Sequence, residues 1–140
     1  MNKNVHLLYA FIFLFPFIKI NINSIVFILF SFAGALIPDI DLEFGHRILL
    51  HNFVIVAIFI LLMIYNKVPE MIIISISIGW ISHIILDVFT FKGVKIFLLG
   101  PWIKFPINER IIKFIGLILF GLIIAILIYP FFKEFIFKFL

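Results

Sequence analysis

Two short polar segments carry the side chains with the greatest chemical potential in this chain. Gly34–Asn52 holds two aspartates, a glutamate, an arginine and two histidines, and Gly79–Thr90 adds another histidine and another aspartate. Imidazole nitrogens and carboxylate oxygens are ligands for divalent ions such as zinc. Because the chain has no cysteine, a transition-metal site would be built from histidine, aspartate and glutamate. The two segments together predict a metal site.

The spacing of these residues supports shared ligation. His83 and Asp87 are four residues apart, so they lie on one face of a helix, and Gly79 extends the same stripe. Such a stripe of small and polar residues is typical of a helix face that packs against another helix. Asp39 and Asp41 are two apart, so an extended backbone would point both the same way. The predicted metal ligands are His6, Asp39, Asp41, His46, His51, His83 and Asp87.

The composition predicts that this site lies in a membrane. The chain of 140 residues is 66% hydrophobic and 13% charged, with a mean hydropathy of +1.36. Soluble domains carry about 25% charged residues, and apolar runs of about 18 or more indicate spanning helices. We expect one domain, residues 1–140, in an all-α integral membrane protein that contacts the lipid bilayer. The net charge of +4 is scattered, so nucleic-acid binding is not predicted.

Apolar runs and prolines predict about five transmembrane helices. We expect Pro38 to end the second span and Pro130 to follow the fifth, with residues 131–140 lying in the membrane interface. Residues 92–108 are expected to be irregular and interfacial. The first two spans are short enough to form a hairpin, and the first lacks a following cleavage site, so we expect it to be retained. The predicted spans are Val5–Ile18, Ile25–Ile37, Ile48–Tyr65, Pro69–Phe89 and Ile111–Tyr129.

Basic residues predict the orientation of these spans. Of the 11 lysines and arginines, seven lie on the side that holds the N-terminus and four on the other. The positive-inside rule therefore predicts a cytoplasmic N-terminus in a multi-pass membrane protein. The same topology brings all four histidines and all three aspartates to the cytoplasmic face. Because apolar runs and prolines alone define the spans, this convergence is a separate indication of one site.

The polar motifs, taken in their order along the chain, resemble those of a known family. The chain is similar to the YdjM-like family of inner-membrane-associated, metal-dependent hydrolases, described in part as LexA-binding. The resemblance covers Val5 to Pro101, and this chain departs from the family in having Leu50 and Asn52 where Thr and Ser usually flank the second histidine. The matching residues are Leu36-Ile37-Pro38-Asp39-Ile40-Asp41, His46-Arg47, His51, Gly79, His83, Asp87, Thr90, Gly93, Pro101 and the early His6.

The resemblance implies a membrane-bound hydrolase that uses a divalent metal ion, with zinc as the candidate. The family is distantly similar to zinc-dependent phospholipase C and the P1 nucleases, which implies a phosphoester substrate such as a phospholipid. In this hypothesis Asp39 and Asp41 are the candidate catalytic carboxylates, one of which acts as the general base. Arg47 is the candidate that binds a phosphate oxygen, for which its planar guanidinium is suited.

Three alternative functions remain open. A metal-binding transporter or channel subunit would need polar groups throughout the membrane, and beyond Ser75 and Ser77 the far half of the spans has almost none. A bis-histidine haem protein would use His51 and His83 as axial ligands and would leave the aspartates without a role. In a non-catalytic membrane protein the polar residues would only lock helices together, with or without a structural metal.

Overall fold

The computed structural model describes residues 1–18, 22–40, 50–95, 97 and 100–139, apart from the side chains of residues 22, 23 and 131–139. A 3-10 turn, Phe15–Phe17, follows the first helix, and two short antiparallel strands connect the last two helices. The predicted all-α class is confirmed. The helices are α1 Lys3–Leu14, α2 Ile22–Ile40, α3 Phe53–Tyr65, α4 Glu70–Val88 and α5 Glu109–Phe139, and the strands are β1 Val94–Lys95 and β2 Trp102–Ile103.

Two helices of the described chain are long and apolar enough to cross a membrane, judged by length and composition. They are Glu70–Val88 and the Glu109–Pro130 part of α5. The other apolar helices, Lys3–Phe17, Ser24–Ile40 and Phe53–Tyr65, are shorter. A bilayer core about 30 Å thick needs about 20 helical residues. Five spans therefore remain a prediction.

Pro38 and Pro130 lie inside helices, which corrects two predicted boundaries. α2 continues through Pro38 to Ile40, and α5 continues through Pro130 to Phe139. A proline removes one backbone hydrogen bond, but in an apolar segment a continued helix satisfies the backbone groups that follow, which outweighs this loss. Asp39 is helical, so the extended backbone that would point Asp39 and Asp41 the same way does not occur at Asp39. Residues 131–139 likewise extend α5, and the predicted location of the C-terminal segment in the membrane interface stays a prediction.

At the crossing of α2 and α4, two glycines allow the helix backbones to touch. A Cβ atom added at Gly34 would meet the carbonyl oxygen of Ile76, and one added at Gly79 would meet the carbonyl oxygen of Ser31. Such close contact is typical of membrane helices that pack through small residues. α1 packs against both of these helices, and α3 packs against α4. This crossing fixes the position of α4, which carries His83 and Asp87.

α5 is attached to the rest of the fold through α1. The Tyr9 hydroxyl donates a hydrogen bond of 2.9 Å to the carbonyl oxygen of Ile112. The backbone N–H of Asn2 donates to Glu109 Oε1 over 3.1 Å. Much of the remaining surface of α5 is exposed and apolar, and Phe114 is 64% exposed. An apolar outer face this extensive suits lipid rather than water.

The segment between α4 and α5 is more ordered than the sequence predicts. Val94 pairs with Ile103 across the β1–β2 hairpin, and Val94 is fully buried. The following backbone returns to the end of α4, where the Phe105 N–H donates to the Val88 carbonyl oxygen over 2.8 Å. The hairpin therefore covers the end of α4 that carries Asp87.

Candidate metal centre

Asp87 lies among three histidines in a buried cluster near the C-terminal end of α4. The Nε2 atoms of His6, His51 and His83 lie 3.5, 3.3 and 3.6 Å from its carboxylate oxygens. All four side chains are at most 2% exposed. The N-terminal amine of Met1 lies 4.0 Å from Asp87 Oδ1. Asp39 Oδ1 lies 3.8 Å from His83 Nε2. We call the five residues His6, Asp39, His51, His83 and Asp87 the His/Asp cluster.

Four separate elements bring the cluster together. His6 lies in the first turn of α1, Asp39 in the last turn of α2, and His51 in the turn that precedes α3. His83 and Asp87 are one helical turn apart on α4. The polar ends of four helices therefore meet at one place, while their apolar middles form the packing surfaces.

The backbone of α2 sets the orientation of the His83 ring. His83 Nδ1 lies 2.6 Å from the carbonyl oxygen of Ala35. Because a carbonyl only accepts, Nδ1 is the donor, and in the neutral ring Nε2 then keeps its lone pair. Nε2 is buried without a hydrogen-bond partner among the described residues. A histidine held through one nitrogen by a carbonyl, with the other nitrogen available, has the arrangement typical of a metal ligand.

Further polar atoms of the cluster are buried without hydrogen bonds to the described part of the chain. They are His6 Nδ1, both ring nitrogens of His51, and Asp39 Oδ2. A buried polar group left without a partner costs about 1–3 kcal/mol. Several such groups in one cluster fit a site whose partner is a bound ion.

The distances within the cluster suit ligands of a divalent ion. One ligand atom from each of His6, His83 and Asp87 lies within 4.8 Å of the other two. Zinc ligands lie about 2.0–2.2 Å from the ion, so two of them are about 3.4 Å apart at the tetrahedral angle. The imidazole–carboxylate distances of 3.3, 3.5 and 3.6 Å exceed the usual hydrogen-bond length of about 2.9 Å and match this ligand spacing. The residues therefore fit a divalent ion.

The histidine rings contact one another directly. His6 and His83 are stacked, with centroids 3.7 Å apart and planes 9° from parallel. His51 and His83 meet edge to face, with centroids 5.3 Å apart and an interplanar angle of 72°. No macrocycle fits between two rings in contact. This arrangement excludes the haem alternative, in which His51 and His83 are an axial pair.

Five of the predicted site residues are brought together in the cluster, and three others lie outside the described residues. Asp41, His46 and Arg47 belong to the latter group. Their predicted roles as ligands, base and phosphate contact therefore stay predictions. The five residues that meet are His6, Asp39, His51, His83 and Asp87.

The residues that hold the His51 turn were missed by the sequence prediction. Trp80 Nε1 donates a 2.7 Å hydrogen bond to the Leu50 carbonyl oxygen. Asn52 caps α3, and its Oδ1 accepts from the Val54 N–H over 2.8 Å. An asparagine before an apolar run is a readable cap signal. The Trp80 contact has no local signal, because its partner lies 30 residues away and is a backbone atom.

We expect Asn52→Ala to lower the free energy of unfolding by about 1 kcal/mol, the usual cost of losing an N-cap. Asn52→Ser is the matched control, since serine caps helices about as well as asparagine. Thermal unfolding in detergent, followed by circular dichroism, compares the two variants. The cap would be irrelevant to stability if both variants unfolded at the wild-type temperature.

An all-α protein with apolar outer faces and a buried cluster of histidine and aspartate belongs to the class of membrane proteins with a candidate metal centre. Comparison with family models identifies the family within this class. The model described as YdjM inner membrane protein matches residues 1–139. The chain belongs to this family, and its location in the inner membrane follows from that membership. No curated protein and no solved structure matches the chain.

Proposed function

We propose that this protein is a multi-pass membrane hydrolase with a buried divalent-metal centre that cleaves a phosphoester at the cytoplasmic face. The observation that carries the proposal is the meeting of three buried histidines with Asp87. The backbone contact from Ala35 to His83 adds to it, because it leaves a ring nitrogen free to bind an ion. Membership of an inner membrane family supplies the membrane context.

The proposed topology has five spans and a cytoplasmic N-terminus. α1 and α3 have 12 and 13 residues, which is about 18–20 Å of helix. These helices are shorter than a bilayer core of about 30 Å, and short spans are accommodated by local thinning of the bilayer. Thinning would bring the His/Asp cluster close to the lipid headgroups. The distribution of basic residues supports the cytoplasmic side for this face.

The proposed ion is zinc, held by His6, His83 and Asp87, with His51 and Asp39 beside them. Imidazole and carboxylate ligands suit zinc, and a chain without cysteine offers no thiolate alternative. When bound, such an ion acts as a Lewis acid that activates water near neutral pH and polarises a phosphoryl oxygen. The burial of Asp87 and the histidines keeps bulk water away from these groups.

Asp39 is the proposed general base. Its side chain is 14% exposed, compared with 2% for Asp87, so it is the more accessible of these two carboxylates. From this position Asp39 can accept a proton from an attacking water. Asp41 is proposed as a ligand or as the alternative base, and Arg47 as the group that binds a phosphate oxygen.

The proposed substrate is a phospholipid or another amphiphilic phosphoester. A cavity of about 370 Å³ lies beside Met1, whose amine is 4.0 Å from Asp87. Its lining combines apolar side chains such as Phe89 with the polar Thr90 and Glu109. A lining of this kind suits a molecule that has both an apolar chain and a polar group. Because Met1 both lines the cavity and approaches Asp87, the polar end of the proposed substrate would enter from the Met1 side.

A second candidate is a non-catalytic membrane protein in which the cluster locks helices around a structural metal. The His83–Ala35 contact favours it, because this contact joins α4 to α2. A transporter subunit has less support. Ser75 and Ser77 each donate over 2.6 Å to a carbonyl of their own helix, so their hydroxyl protons are used within α4 and only their oxygens could accept from a polar path.

The test compares wild type with His83→Ala and Asp39→Asn. Purified protein is assayed for bound metal and for hydrolysis of phospholipid vesicles and a soluble phosphodiester, with zinc added. We expect His83→Ala to lose both metal and activity. Asp39→Asn should keep its metal and lose activity by about 10²–10⁴-fold, the usual contribution of a general base.

Other outcomes separate the candidates. Metal in the wild type without activity on any phosphoester would favour the structural role. A well-folded wild type that binds no divalent ion would contradict both candidates. If Asp39→Asn retained full activity, the base would be another group.

A further inference from the structure

We propose that the His/Asp cluster holds two divalent ions, bridged by the two oxygens of the Asp87 carboxylate. His6 binds the ion on the Oδ1 side, and His51 binds the ion on the Oδ2 side. His83 lies next to both. This inference rests on the proposed metal centre and adds the number of ions and the division of the ligands between them.

The two oxygens of Asp87 face different histidines. Oδ1 lies 3.5 Å from His6 Nε2, and Oδ2 lies 3.3 Å from His51 Nε2. A carboxylate can bind one ion through each oxygen, and the ions of two-metal sites are about 3.5–4 Å apart. Asp87 is 2% exposed and lies between the two imidazoles. This is the position of a bridging ligand.

His51 does not share a single ion position with the other ligands. The ligand atoms of His6, His83 and Asp87 form a group within 4.8 Å, and His51 lies outside this group. Two nitrogen or oxygen ligands of one zinc ion can be separated by about 4.4 Å at most, which is twice the longest zinc–oxygen distance. The group of His6, His83 and Asp87 therefore leaves His51 beside a separate position at Asp87 Oδ2.

The surroundings of His51 nevertheless indicate a ligand. Its side chain is fully buried, and neither ring nitrogen has a hydrogen-bond partner among the described residues. With one ion in the cluster, the 3.3 Å approach to Asp87 Oδ2 would be the contact that compensates His51 Nε2 for its burial among the described residues. A second ion on Asp87 Oδ2 would be within reach of His51 Nε2 and would give this nitrogen a ligand bond.

His83 lies beside both ion positions. Its ring stacks on His6, with centroids 3.7 Å apart, and meets the edge of His51, with centroids 5.3 Å apart. Its Nε2 is 3.6 Å from Asp87 Oδ2 and 3.8 Å from Asp39 Oδ1. The two carboxylates balance only part of the charge of two divalent ions. An anionic phosphoryl group would balance more of it, and two-metal sites characteristically act on such groups.

Manganese is the probe for this proposal, because bridged pairs of Mn²⁺ are magnetically coupled. The full chain in detergent is stripped of metal, loaded with Mn²⁺, and examined by metal analysis and electron paramagnetic resonance. We expect two ions per wild-type chain and a coupled spectrum, with hyperfine lines more closely spaced than those of an isolated ion. His6→Gln and His51→Gln should each retain one ion and give the spectrum of an isolated Mn²⁺.

Each outcome separates this inference from the proposed metal centre. One ion per wild-type chain, unchanged in His51→Gln, would overturn the two-ion proposal and leave the metal centre intact. Two ions without magnetic coupling would overturn the Asp87 bridge. No bound ion in folded wild type would overturn both proposals. If either glutamine variant failed to fold, the ion count and spectrum of the wild type would decide the question alone.

Discussion

Asp87→Asn is expected to reduce bound metal to background while the helices remain assembled. Asparagine has nearly the same shape as aspartate, but it has no negative charge, and its amide nitrogen cannot bind an ion. Three imidazole nitrogens lie within 3.6 Å of this carboxylate, so its loss affects every ligand around it. The fall in affinity should exceed the about 10–100-fold that follows the loss of a supporting outer ligand.

Metal analysis after dialysis against a fixed zinc concentration measures this effect, with Glu70→Gln as the matched control. Glu70 is the first residue of α4, so it lies on the same helix about 25 Å from Asp87. The control should keep the wild-type metal content. Equal metal in Asp87→Asn and wild type would place the bound ion away from the His/Asp cluster. A large loss of thermal stability in Asp87→Asn and in wild type stripped of its metal would point to the helix-locking role.

The features of the cluster that follow from local spacing or chain direction were predictable from the sequence. Four-residue spacing puts His83 and Asp87 on one face of any α-helix, whatever surrounds it. The chain reverses direction at the turn after each apolar run. This reversal brings His6 and His51 to the membrane face at which the C-terminal end of α4 lies. The polar ends could therefore be grouped before any contact was known.

Features that depend on contacts between distant segments were not predictable in the same way. Ala35 supports His83 through its carbonyl oxygen, which every residue type possesses, so the sequence gives no sign of this role. One oxygen of Asp87 faces His6 and the other faces His51. This arrangement depends on side-chain positions that the spacing of residues does not define. Pro38 was predicted to end a helix, because proline removes a backbone hydrogen bond. In an apolar segment the remaining backbone groups must still be paired within the helix, so α2 continues past Pro38.

Gly79→Ala is expected to separate α2 from α4 and destabilise the protein. The added Cβ would meet the carbonyl oxygen of Ser31, a backbone atom that no rotamer change can move away. Overpacking of this kind costs about 1–3 kcal/mol and sometimes more, which outweighs the gain of up to about 1 kcal/mol that alanine brings to a helix. Since Gly79 lies one turn before His83, the shift would also stretch the His83–Ala35 contact that orients the ring.

Gly121→Ala is the matched control, because a Cβ at Gly121 on α5 would have no atom within 4 Å. The same substitution should therefore raise stability there through helix propensity, and it should leave metal binding unchanged. Thermal unfolding in detergent and zinc affinity are measured for both variants. The expected result is opposite signs in stability, with weaker zinc binding only in Gly79→Ala. Equal and small effects in both variants would mean that the close crossing of α2 and α4 does not hold the His/Asp cluster in position.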